Sequence, residues 1–130
     1  MVKDIPVLTG DLLNFEEVWS NYKKVLMQIA RVYNDAMNII HYMHDKYYYE
    51  KAQMAFIDTD PRINLAYGVA GLSIAIDSLS AIKYGKVRAK RNDIGLTEGF
   101  DIENTYPCFG NDDDRVDHLG VDLVYSSVKN

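Results

Sequence analysis

Apolar residues recur at Val18, Tyr22, Val25, Ile29, Val32, Ala36, Ile40 and Met43. Steps of three and four are the period of an amphipathic α-helix, so the spacing predicts one continuous helical stripe. Leu26, Met27, Tyr33, Met37 and Ile39 widen it, while Lys23, Lys24, Gln28, Arg31 and Asp35 hold the opposite face. Asn14 opens the helix. Its side-chain oxygen can accept from the free amides of the first turn, and Glu17 three residues on completes a capping-box pattern. A helix this long, apolar over more than a third of its girth, needs cover from several elements. It belongs to a bundle or to the outer layer of a larger body.

The rest of the pattern is shorter-ranged. Residues 1–13 read as extended, because Pro6 and Gly10 interrupt any helix. A bend is expected at His44-Asp45, and a second helical stretch over 45–57 carries Tyr48, Tyr49, Ala52, Met54, Ala55 and Phe56. Asp58-Thr-Asp-Pro61 ends it, since proline pushes the preceding residue out of helical geometry. Leu65 to Val69 reads as a short strand. A helix is expected from Ser73 to Tyr84, with Leu72, Ile76, Leu79 and Ile82 on one side and Gly85 as its stop. Val87 and Ala89 alternate with charges, Asn92-Asp-Ile-Gly95 supplies turn residues, and Gly99 to Glu103 returns, which makes 86–104 a hairpin. Asn111 is expected to cap a last helix over 111–128. Asp112, Asp113 and Asp114 fall in its first turn, where the helix dipole favours carboxylates. Val116, Leu119, Leu123 and Val124 form its face.

Composition bounds the picture without changing it. A chain of 130 residues suits one compact domain. A net charge of −5 argues against nucleic acid or an anionic membrane as the main partner. The one basic cluster, Lys86-Val-Arg-Ala-Lys-Arg91, reads as a solvated strand edge rather than a phosphate patch. Ten tyrosines suggest half-buried faces where a ring packs and a hydroxyl meets water or a partner. The single cysteine, Cys108, forms no intrachain disulfide. Without a leader pattern or a long apolar run, a cytoplasmic location is expected.

Candidate chemistry is sparse. His41 and His44 stand three apart on one helix and could both reach one metal. Asp45 is the only nearby acid in ligand register, so a structural role is favoured and no metal site is assigned. The run NDDDRVD (111–117) resembles half of a calcium loop, but it lacks the glycine at the sixth position and the glutamate at the twelfth. A capped helix start explains it better. Cys108, in TYPCFGN, has no basic neighbour in sequence to activate it as a nucleophile. Asp77, on a packed helix, must be satisfied by neighbouring backbone, as must Ser78. No Walker loop, dinucleotide glycine pattern, GxSxG or HExxH is present. No catalytic, cofactor-binding or metal-binding residue is therefore assigned from the residues themselves.

Longer blocks say more. GVAGLSIAIDSLSAIKYGKV (68–87), GDLLNFEEV (10–18), NIIHYMHDKYYYEKAQMA (38–55), FDIENTYPCFGND (100–112) and DRVDHLGVDLV (114–124) together resemble the pyruvate formate-lyase family of glycyl radical enzymes. The resemblance covers essentially the whole chain. It implies an α/β fold, in which this chain is a helix-rich piece of a ten-stranded barrel with long outer helices and a short hairpin. Leu65 to Val69 would be an inner strand, with Gly68, Ala70 and Gly71 turning the chain into an outer helix. It also implies the family reaction, pyruvate and coenzyme A to formate and acetyl-CoA, by radical C–C cleavage. The radical sits on a glycine in an Arg-Val-x-Gly-Tyr context, installed by an iron–sulfur, S-adenosylmethionine-dependent activating enzyme. Two adjacent cysteines pass the radical on and carry the acetyl group.

Neither device is in this sequence. Arg115-Val116 is followed by Asp117 and His118, and Cys108 stands alone. The resemblance therefore implies an internal piece of a much longer enzyme, lying between the cysteine pair and the glycine loop and inactive alone. Its expected partner is the remainder of such a chain. Two other readings stand behind it: a binding module that docks on or completes a related enzyme, and a self-associating helical domain closed as a homodimer through the Val18–Met43 stripe.

Overall fold

A computed structural model of the protein describes residues 5–47, 52–53, 55–57 and 64–128, with side chains as far as Ser126. Its elements are α1 (Phe15–Lys46), α2 (Leu72–Tyr84), β1 (Lys86–Arg91), β2 (Thr97–Glu103) and α3 (Asp114–Val128). This is a helical piece with a two-stranded antiparallel hairpin, compatible with an α/β class. Among the described residues no helix is long and apolar enough to cross a membrane. Contacts group the chain into two units, Met1–Gln28 with Ala70–Asn130, and Ile29–Val69.

The first unit holds the core. Ile76 and Leu79 of α2 meet Val116, Leu119 and Leu123 of α3, all five nearly inaccessible to solvent. These are the faces that the three-and-four spacing predicts. Gly120 lets the helices approach closely, since a Cβ there would lie 3.0 Å from Ile76 Cδ1. Phe15, Trp19, Tyr22 and Leu26 of α1 lie against this core. Phe15, Trp19 and Tyr22 also stack in series, with centroids 6.2 and 6.4 Å apart. That line shares Tyr22 with the predicted stripe but is rotated toward Trp19. Large aromatic rings reach the core from the flank of the stripe, which counting apolar positions misses.

Asn14 caps α1 as expected, its Oδ1 accepting from the Glu17 amide at 3.2 Å. The helix continues unbroken through His44-Asp45 and ends at Lys46. Of the expected second helix, only residues 52–53 are described as helical; Asp58 to Pro61 lie outside the described residues.

The hairpin has the expected limits. β1 and β2 pair with Val87 opposite Ile102 and Ala89 opposite Phe100, and an irregularity falls between Lys90 and Arg91. Asn92 builds the turn, its Oδ1 accepting from the amides of Ile94 (3.2 Å) and Leu96 (2.9 Å). The expected extended leader is seen where it docks on the hairpin. The Leu13 amide donates to Val87 O at 2.9 Å, and the Ala89 amide donates to Asp11 O at 2.8 Å.

Two further expectations fail, besides the bend at His44-Asp45. Leu65 to Val69 is not a strand: residues 64–71 are irregular and largely exposed. A strand needs a ladder partner, and among the described residues none lies beside this segment. Asn111 does not cap α3. Asp113 does, its Oδ1 accepting from the Arg115 amide at 3.0 Å, while Asn111 donates to Cys108 O at 3.2 Å. Asp112 takes a positive φ of 56°, so the chain turns once more before the helix begins.

Candidate functional site

The strongest candidate region is the loop Tyr106–Asn111 with the face of α2 that holds it. α2 starts after Gly71, whose φ of 80° is a conformation that glycine adopts without strain. From there the helical register sends Asp77 and Ser80 toward the loop. Asp77 Oδ1 accepts from the Phe109 amide at 2.7 Å. The Ser80 hydroxyl, fully buried, donates to Pro107 O at 2.5 Å. Ser78 instead donates to Ile74 O, four residues back in its own helix. Gly110 turns the loop with a φ of 88°. Cys108, half-buried, lies between the two anchored residues.

Asp77 and Ser80 thus fasten a loop. Burial of an aspartate on a packed helix requires such a partner, and a backbone amide supplies it. The expectation that Asp77 bonds neighbouring backbone holds, but the backbone is that of a loop 32 residues away. Ser80, the most buried polar residue among those described, gives no signal in sequence beyond its place on the inner face of α2.

The remaining candidates are dispersed. His41 and His44 stand with ring centroids 6.5 Å apart. His118 Nδ1 lies 2.6 Å from Asp114 O, within its own helix. In the acidic run, Asp113 forms a double contact with Arg115, at 3.0 Å to Nε and 2.6 Å to Nη2. That hydrogen-bonded guanidinium holds the Asp113 carboxyl below its ordinary range, and the carboxylate raises Arg115 in turn. Arg115 also lies over the Tyr84 ring, 5.5 Å from its centroid. Among the described residues no three His, Cys, Asp or Glu side chains gather as a metal site would require.

The basic cluster on β1 divides. Arg88 pairs with Glu103 at 3.1 Å and Lys90 with Asp101 at 2.6 Å, both exposed, which is the solvated strand edge expected. Arg91 is different. Its Nη2 donates to Leu8 O at 2.7 Å and Gly10 O at 3.2 Å. Its Nη1 reaches Gly95 O and Thr97 Oγ1. Arg91 therefore ties the leader to the hairpin turn through backbone oxygens some 80 positions away, a role that no local pattern announces.

One open groove of about 380 Å³ is lined by Trp19, Lys23, Asp122, Tyr125 and Ser126. Lys23 Nζ sits 5.3 Å from the Trp19 ring centroid. No nucleophile with a positioned base lines it. In the second unit, the Tyr67 hydroxyl donates to Asn34 Oδ1 at 2.8 Å, and the Tyr33 and Tyr67 rings meet edge-on at 5.3 Å. These contacts anchor residues 67–68 to α1.

The polar groups described are thus caps, clamps and loop anchors. The chain matches the family model described as pyruvate formate lyase-like over residues 1–130. It is 52% identical over 122 residues to formate acetyltransferase 1 of Escherichia coli strain K12. The match covers 94% of this chain and 16% of that relative, so the chain spans about a sixth of the curated protein's length. A family match over the full chain and 52% identity over 94% of it settle the family: this chain belongs to the pyruvate formate lyase-like family.

Proposed function

We propose that these 130 residues form a structural section of a formate acetyltransferase-type enzyme and carry none of its covalent chemistry. The parent reaction is cleavage of pyruvate with coenzyme A to formate and acetyl-CoA by a protein-borne glycyl radical. The observation that carries this reading is a family match over the full chain in a sequence without the cysteine pair or the radical glycine. The residues present do not fit the radical device. Cys108 has no adjacent thiol, and Arg115-Val116 leads into helix α3 instead of a glycine loop. No step of the reaction is therefore routed through this chain.

Its contribution is shape. α2 and α3 close on a small core, Asp77 and Ser80 fix the Tyr106–Asn111 loop, and Arg91 fixes the leader. In a ten-stranded barrel enzyme, such a section stands as part of the outer wall. The test is turnover by the chain alone. With activating enzyme, S-adenosylmethionine, pyruvate and coenzyme A under strict anaerobiosis, neither formate nor acetyl-CoA forms. Detectable product from the isolated chain overturns the proposal.

A further inference from the structure

The leader is held on the first unit mainly by hydrogen bonds. Residues 11–13 run antiparallel along the edge of β1 that β2 leaves free, with Leu12 bridged to Arg88. Among the described residues two main-chain bonds join them to that edge, from the Leu13 amide to Val87 O and from the Ala89 amide to Asp11 O. Ahead of them, residues 6–10 hang on two side chains. Arg91 takes Leu8 O and Gly10 O, and Asn21 Nδ2 of α1 donates to Pro6 O at 3.1 Å. Val7 is 82% exposed and Leu12 49%, so apolar burial adds little. The Arg91 clamp is also incomplete. Its Nε is buried and among the described residues has no hydrogen-bond partner, which is a costly state for a donor. The Asp11 carboxylate stands 3.9 Å from it, within ion-pair range but beyond a hydrogen bond. The Asp11 side chain is 75% exposed, while its main chain is already fixed by Ala89. The shortfall is about 1 Å, within reach of a rotation about the Asp11 side-chain bonds.

We propose that Asp11 and Arg91 form a salt-sensitive clasp that closes the leader over the free edge of β1, and that the leader leaves this edge as a unit when the clasp opens. Closed, the Asp11 carboxylate accepts from Nε, and the one buried donor of the clamp is satisfied. Open, the leader frees Val87 O and the Ala89 amide, the kind of groups through which a sheet edge recruits a further strand. The clasp therefore guards that edge. Its charge makes it responsive to ionic strength, because a pair with one partner this exposed is screened by salt. The neighbouring pairs Arg88–Glu103 and Lys90–Asp101 join β1 to β2 and hold no part of the leader. The clasp lies wholly within the first unit and does not depend on the family reading.

The test is native-state hydrogen exchange of the 130-residue chain, resolved at the Ala89 amide, whose acceptor is Asp11 O. It is read between roughly 0.01 and 1 M sodium chloride, over which the screening length falls from about 30 to about 3 Å. Exchange at Ala89 should quicken about two- to fivefold across this range, the scale of a largely exposed ion pair, while amides in β2 and the middle of α3 keep their protection. Asp11→Ala should exchange at the faster rate at both salt concentrations. Asp11→Asn, which keeps the shape and loses the charge, should lose the response to salt. Glu103→Gln removes a charge that holds no part of the leader and should keep that response. Salt-independent exchange at Ala89 in the unsubstituted chain overturns the proposal, as does an Asp11→Ala variant that responds like it. Equal acceleration at Ala89, in β2 and in α3 also overturns it, because the leader is then no separate unit. So does a lack of protection at all three places, since the clasp then holds nothing closed.

Discussion

Removing Asp77 should loosen one loop and leave the core of the first unit intact. Its Oδ1 accepts from the Phe109 amide at 2.7 Å, and Ser80 adds a second anchor two residues earlier in the loop, at Pro107 O. A hydrogen bond to a charged acceptor contributes about 1.5–3 kcal/mol, and the partly open setting of Asp77 places it at the lower end. Losing about 1.4 kcal/mol raises the open population of the loop tenfold. In Asp77→Ala, exchange of the Phe109 amide should accelerate by that order, while amides in the middle of α3 keep their protection. Ser80→Ala removes a neutral bond worth about 1 kcal/mol and should give a smaller, several-fold effect on the same loop. Both act on one short segment, so the double variant should deviate from additivity. Ser78→Ala, whose hydroxyl serves only its own helix, is the control and should change nothing. Native-state hydrogen exchange by mass spectrometry reads all four proteins. Unchanged Phe109 exchange in Asp77→Ala would refute the anchoring argument. Equal acceleration across α3 would show that Asp77 supports the whole unit instead.

Three further outcomes follow from the same geometry. Leu123→Ala, at a position 2% exposed, should cost about 2–5 kcal/mol, whereas Val121→Ala, half exposed on the same helix, should cost less than about 1 kcal/mol; chemical denaturation separates them. Arg91→Lys keeps the charge but cannot span the oxygens of Leu8, Gly10 and Gly95 together, so limited proteolysis should cut the leader sooner while the hairpin survives. The Asp113–Arg115 contact makes the start of α3 acid-sensitive. The folded carboxyl titrates below its ordinary 3.8, so its stabilisation is present above that value and fades as pH falls through the lower folded one. Asp113→Asn should flatten that part of an acid titration followed by helical ellipticity, and an unchanged curve would show that the contact does not matter.

Legibility in the sequence tracked how local each cause is. The faces of α2 and α3 could be counted off in steps of three and four because the core between them is made by those steps. The hairpin could be placed because Asn92 and Gly95 carry turn chemistry in their own side chain and backbone. The capping of α3 was misplaced by two residues. Four potential caps stand in a row from Asn111 to Asp114, and the choice is made by where the loop is anchored, which depends on Asp77. Leu65 to Val69 has the composition of a strand, but pairing is a property of the neighbour, and the described residues offer none. Arg91 and Ser80 gave no signal, since their partners lie 83 and 27 positions away. The expectation that no catalytic residue lies in this sequence has a different source: the resemblance names two devices, and the sequence contains neither.

The central claim, that this chain is a wall section of a formate acetyltransferase-type enzyme, is tested most directly by exchange of parts. In the E. coli relative, the matched 122-residue section is replaced by the corresponding residues of this chain, and acetyl-CoA formation is measured after anaerobic activation. The account predicts that the chimera forms acetyl-CoA and that deleting the section abolishes it. A soluble, radical-bearing chimera that forms no product, or a deletion that retains activity, would contradict it.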